Sequence, residues 1–70
     1  MSSEIIEIIL NGEMHKSGAK TLYDLILSEK LELIKVATAV NGEFVPIHAR
    51  RNTLLKSGDL IEILTIRQGG

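Results

Sequence analysis

The hydrophobic positions of the chain fall into short runs with two different periods. Residues 4–10, Glu-Ile-Ile-Glu-Ile-Ile-Leu, are rich in β-branched side chains and too short for a stable helix. In an alternating reading Ile6, Ile8 and Leu10 share one fully apolar face, with Ile5, Glu7 and Ile9 on the other. Asn11-Gly12 follows at once; this dipeptide suits a type I′ turn, whose two central residues both need positive φ. Residues 13–16 are therefore expected to return as an antiparallel strand, with Ser17-Gly18 breaking the pattern. The period then changes. Leu22, Leu25, Ile26 and Glu29 follow helical spacing, with Leu22, Leu25 and Ile26 forming the apolar stripe. Thr21 is placed to cap this helix, and Asp24, three residues on, suits the positive end of its dipole. The helix is expected to end near Lys30, with Leu31 and Leu33 closing one end of the core.

Beyond it, residues 36–40, Val-Ala-Thr-Ala-Val, read as a third strand. A second Asn-Gly, at 41–42, turns it into the short strand 43–45. Pro46 lacks an amide hydrogen, so that strand stops there or lies on an edge. Residues 47–56 read as irregular and carry most of the basic loop charge; Ser57-Gly58-Asp59 is a turn, and residues 60–66 form the last strand. The order is strand, strand, helix, strand, strand, strand. It predicts an α+β fold of the β-grasp type: a mixed sheet of about five strands with one main helix packed across it. The first and last long strands, the most apolar runs in the chain, are expected to lie parallel at its centre.

A length of 70 residues leaves room for one domain, close to the lower limit for a self-sufficient core. The absence of cysteine removes disulfides, thiolate metal sites and cysteine nucleophiles. A net charge of -1 offers no electrostatic basis for binding nucleic acid or an anionic membrane. The adjacent pair Arg50-Arg51 reads as part of a solvated loop. No apolar run is long enough to span a bilayer, and no basic leader precedes the first strand, which together point to the cytoplasm.

Candidate chemistry lies at the other end of the chain. Residues 1–66 account for the β-grasp domain, leaving Arg67-Gln68-Gly69-Gly70 as an expected flexible tail. Glycine has no Cβ, so a Gly-Gly tail can thread a narrow channel and deliver a carboxylate into another protein's active site. Four extended residues reach roughly 13–14 Å. A free carboxylate is a poor electrophile. Transfer of AMP from ATP would give Gly70 a good leaving group, and attack by a persulfide would then put sulfur on the acyl carbon. The activating partner would have to supply the phosphate contacts, the ATP and the sulfur donor; the chain itself is expected to bind no cofactor and no metal. With no thiol, the chain can neither carry a side-chain persulfide nor attack its own activated tail.

The string Val40-Asn41-Gly42-Glu43-Phe44-Val45-Pro46, then Leu55-Lys56-Ser57-Gly58-Asp59-Leu60-Ile61-Glu62-Ile63, then Gly69-Gly70, resembles the thiamine-biosynthesis sulfur carrier family (ThiS) of ubiquitin-like proteins. The resemblance covers essentially the whole chain. It implies that Gly70 is adenylated by a ubiquitin-activating-like adenylyltransferase and converted to a thiocarboxylate, from which thiazole synthase takes the sulfur. On that reading the protein is a carrier and not an enzyme. Ile47-His48-Ala49-Arg50 departs from the family pattern of an arginine directly after the proline and an aromatic residue a few positions on.

The alternation of the last strand adds a surface. Ile61, Ile63 and Thr65 fall on one face, Leu60, Glu62, Leu64 and Ile66 on the other. With the helix over the first set, Leu60, Leu64 and Ile66 form an exposed apolar patch near the tail, a candidate docking site for both partners. His15 and His48 have no neighbouring constellation and read as surface or edge residues; Asp59 reads as a turn residue and Glu62 as solvent-facing. The alternatives left open are a molybdopterin synthase small subunit, another ubiquitin-like sulfur carrier or protein modifier, and a β-grasp interaction or regulatory module.

Overall fold

A computed structural model describes residues 4–66. The elements are β1 (Ile6–Leu10), β2 (Glu13–Ser17), α1 (Leu22–Ser28), a first 3-10 turn (Leu33–Lys35), β3 (Val36–Val40), β4 (Glu43–Val45), a second 3-10 segment (Ile47–Asn52) and β5 (Leu60–Thr65). The strands form one mixed sheet in the order β2-β1-β5-β3-β4. β1 and β5 run parallel and the other neighbours antiparallel, so the two most apolar strands lie side by side within the sheet, as expected.

Both hairpins turn on Asn-Gly with positive φ at each central residue: 50° and 86° at Asn11 and Gly12, 53° and 87° at Asn41 and Gly42. Each asparagine does more than turn the chain. The parallel register of β1 and β5 covers only Ile9↔Leu60 and Leu10↔Ile61. The Asn11 carboxamide extends it, accepting from the Ile63 amide at 2.9 Å and donating to the Ile63 carbonyl at 3.1 Å. It thus takes the place of a further strand residue. On the opposite flank of β5, Asn41 Oδ1 accepts from the Leu60 amide at 3.0 Å, and its Nδ2 donates to Asp59 at 3.0 Å. Replacing Asn11 by alanine removes two bonds to the central strand, each worth about 0.5–1.5 kcal/mol. It also puts a residue poorly suited to positive φ in the turn, at roughly 1 kcal/mol. A loss of about 2–4 kcal/mol in urea unfolding is expected for Asn11→Ala; a loss of about 1 kcal/mol or less, the turn contribution alone, would mean that the carboxamide ladder does not hold β5.

Thr21 caps α1 as its position predicts, its Oγ1 accepting from the Asp24 amide at 3.1 Å. The helix stops earlier than expected. Ser28 is the last helical residue, and Lys30 has φ 60°. The Lys30 amide donates to Leu27 and the Leu31 amide to Ile26, the paired bonds of a Schellman motif. Lys30 is therefore the left-handed residue past the helix, a position usually given to glycine, and Leu31 folds back onto the core.

The core is aliphatic. Ile8, Leu22, Leu25, Ile26, Val36, Val45, Leu55, Ile61 and Ile63 are buried between α1 and one face of the sheet. Thr65 shares the parity of Ile61 and Ile63 but is exposed, because it lies past the cover of the helix. No helix of the described residues is long and apolar enough to cross a membrane.

Residues 47–56 depart most from expectation. They are not simply irregular: Ile47–Asn52 is a 3-10 segment, and Thr53 and Leu55 bond to Leu22 and Lys20, leaving Leu55 in the core. Nor is Arg50 solvated. It is 1% exposed, the largest fully buried side chain of the domain. Its Nε donates to Thr38 Oγ1 at 3.2 Å, Nη1 to the Leu33 carbonyl at 2.6 Å and Nη2 to the Val36 carbonyl at 2.7 Å. Thr38 in turn donates to the Val45 carbonyl at 2.9 Å. Among the described residues no carboxylate pairs with Arg50; three oxygen dipoles replace water around its charge. Burial lowers its pKa from the ordinary value, though a guanidinium remains charged at any working pH. Of the adjacent pair, Arg51 is the surface arginine, stacked 4.2 Å from the Tyr23 ring.

Candidate functional site

The helix covers one face of the sheet and leaves the other open. Strand parity decides which residues it carries. From β5, Ile61 and Ile63 turn to the core, which sends Leu60, Glu62 and Leu64 outward. Leu64 pairs with Ala37 and Glu62 with Ala39; Ala39 pairs with Phe44, Leu60 with Ile9, and Ile9 with Met14. The open face therefore carries a band of apolar residues interrupted by Glu62, with the exposed cross-strand pair Glu7 and Lys16 at its β1–β2 end. Leu60 is 50% exposed, Leu64 64% and Phe44 70%. The two alanines matter because they are small. Between Leu64 and Phe44 they leave a hollow of about 130 Å³, floored by Ala37 and Ala39 and bordered by Glu62. An apolar surface of this extent on so small a domain is a feature of proteins that dock others.

Leu60, Leu64 and Ile66 are all exposed, and the first two stand on this face through β5. Ile66 lies just past the strand, and its amide donates to the Lys35 carbonyl at 2.7 Å. The chain is thus held to the sheet up to Ile66, at the corner where β3 begins. Arg67, Gln68, Gly69 and Gly70, the expected tail, lie outside the described residues. Sequence alternation along β5 found the leucines but missed Met14, Ile9, Ala37, Ala39 and Phe44. Their signal was present in the same strand parity, but joining them into one face requires the strand order.

The remaining polar candidates do not converge. His15 is half-buried on β2 and lies 3.2 Å from Glu29, at the end of α1; His48 is exposed on the second 3-10 segment. Asp59 serves its turn, accepting from the Lys56 amide at 2.8 Å and from Asn41. Glu62 is exposed among apolar neighbours. Among the described residues, no group of three or more His, Cys, Asp or Glu side chains could hold a metal ion. The geometry suits recognition by another protein.

The family model for ThiS matches residues 4–70, nearly the whole chain. The chain belongs to the ThiS family. A ThiS-family crystal structure, that of the thiamine biosynthesis protein (ThiS) from Geobacter metallireducens, superimposes with a TM-score of 0.78 at 28% sequence identity, covering 93% of this chain and 100% of that one. No curated protein matches significantly. The β-grasp reading of the element order thus agrees with a ThiS neighbour over nearly its full length, including the mixed five-stranded sheet under one main helix.

Proposed function

We propose that this protein is a sulfur carrier of thiamine biosynthesis, with the Gly70 carboxyl as the carrying group. The observation that bears most weight is the ThiS family match, which runs across the domain and through Gly69-Gly70. A carboxylate oxygen of Gly70 attacks the α-phosphorus of ATP in an adenylyltransferase of the ubiquitin-activating type, and pyrophosphate leaves. The terminal sulfur of a persulfide then attacks the acyl carbon and displaces AMP, giving an acyl disulfide. A thiol cleaves its S–S bond, forming a disulfide with the donor and leaving the thiocarboxylate on Gly70. Thiazole synthase consumes that sulfur. The chain contributes no catalyst to these steps: it presents the acyl group and a surface by which each partner finds it. The cytoplasm, where ATP is available, is the proposed setting.

Leu60, Leu64 and Ile66 support this reading as docking residues because they are exposed and apolar, with Leu64 and Ile66 at the end of β5 from which the chain leaves the sheet and Leu60 at its start. Arg67, Gln68 and Gly69 would occupy the partner's channel, where the absence of a Cβ at Gly69 lets the walls close on the backbone. Incubation with an adenylyltransferase of this class, ATP and a sulfur donor tests the proposal by intact mass. The expected products are first the adenylate and then a species with one oxygen exchanged for sulfur. An unchanged mass, or the same shift in a chain lacking Gly70, would refute it.

A further inference from the structure

We infer that Ile34, on the first 3-10 turn, is a contact residue for the adenylyltransferase that receives Gly70, and that the docking surface wraps from the open face around the end of the sheet onto this turn. The inference rests on the carrier reading above.

Ile34 is 76% exposed, more than any other large apolar side chain of the described residues, and contributes nothing to the core. Yet the backbone that carries it is firmly held. Arg50 binds the carbonyls on either side of the turn, at Leu33 and Val36, and Val36 is itself buried. The Lys35 amide closes the turn onto the Glu32 carbonyl at 3.0 Å. A buried arginine thus fixes a short turn whose middle residue is an isoleucine aimed at solvent.

The same turn holds the root of the tail. The Ile66 amide donates to the Lys35 carbonyl, continuing the antiparallel ladder that pairs Val36 with Thr65. One residue step beyond that pairing puts the Cα of Ile34 within roughly 10 Å of the Cα of Ile66. Four residues extend at most about 13–14 Å, so an enzyme that takes Gly70 into its active site must close around Ile66. A typical footprint of about 800 Å² per partner, centred there, has a radius of about 16 Å. Ile34 falls inside it. The complementary surface is an apolar rim at the mouth of the enzyme's channel, meeting Ile34, Leu64 and Ile66 together, with the exposed Glu32–Lys35 ion pair at its edge.

Ile34→Asp in the full chain tests this by pyrophosphate release as a function of carrier concentration. The expected result is a KM raised about tenfold, the cost of placing a charge at an apolar contact, with kcat within twofold and the circular dichroism spectrum unchanged. Leu54→Asp is the control. Leu54 is 68% exposed but bridges Thr21 at the start of α1, next to the end of β2 that pairs with the start of β1; β5 runs parallel to β1 and delivers Ile66 to the other end. Its KM should match the unmodified chain. If Ile34→Asp disturbs the fold, Ile34→Ala replaces it, with a KM rise of about threefold expected. An unchanged KM for the folded Ile34 variant overturns the inference. So does a dimer of the unmodified chain that Ile34→Asp dissociates, since the turn would then serve a second copy. No pyrophosphate release from the unmodified chain would instead overturn the carrier reading itself.

Discussion

Arg50→Ala is expected to cost the domain about 3–5 kcal/mol. The substitution leaves the Leu33 and Val36 carbonyls and the Thr38 hydroxyl without their donor, the last two in buried positions and the first in a part-buried one. Each stranded acceptor costs about 1–3 kcal/mol, reduced where the corner relaxes to admit water. At roughly 0.05–0.15 kcal/mol per residue, a domain of this size holds about 4–10 kcal/mol in total. Arg50→Ala therefore takes a large share of the stability, and urea denaturation followed by circular dichroism should show a much lowered midpoint or no folded baseline. Lysine should recover only part of the loss, because a tetrahedral ammonium cannot reproduce a planar fork aimed at three acceptors. A loss below about 1 kcal/mol for the alanine variant would show that the network adds little.

Leu64→Asp should have the second large effect, this time on recognition. Leu64 stands on the central strand, at the border of the alanine-floored hollow, beside Ala37 and two residues before Ile66. A leucine so placed in an interface has the character of a hot spot, worth about 2–4 kcal/mol. Aspartate removes that contact and sets a second carboxylate beside Glu62. The expected loss in kcat/KM for adenylation is about 30- to 900-fold, with a fold penalty near 1 kcal/mol from reduced strand propensity. Leu64→Thr separates the two, since it keeps the propensity of a β-branched residue while shortening the contact. Adenylation of folded Leu64→Asp within threefold of the unmodified rate would remove the open face from the docking surface.

Much of this architecture was legible because its causes are local. Asn-Gly needs only itself to set a type I′ turn, so both hairpins could be placed; the stripe Leu22, Leu25, Ile26 and the cap at Thr21 are likewise short-range. Alternation along β5 gave the exposed leucines. Arg50 was illegible for the opposite reason. Its acceptors lie 12 to 17 residues away, on two other elements, and beside Arg51 it looked like half of a solvated pair. The helix ends two residues before Lys30: a lysine suits either a last turn or the residue past it, and its left-handed conformation is decided by the bond to Leu27 and by the packing of Leu31 against the core. The role of Asn11 toward Ile63 spans 52 positions and exists only once β5 has docked beside β1. Gly69-Gly70 lies outside the described residues, and its proposed part in the chemistry is supported by the family match.

The twin Asn-Gly turns also bear on how the molecule ages. Asparagine followed by glycine is the pair most prone to deamidation, because the glycine amide nitrogen meets little hindrance in attacking the carboxamide carbon. In this fold both carboxamides are engaged with β5 and its preceding turn, and their orientation for that attack is restrained. Should the reaction occur at Asn11, the new carboxylate would replace a donor with a negative oxygen facing the Ile63 carbonyl. The central strand would lose a bond and gain a repulsion. The contacts that complete the sheet thus also slow the chemistry that its turns invite, and a chain left unfolded would accumulate the damage that the folded one resists.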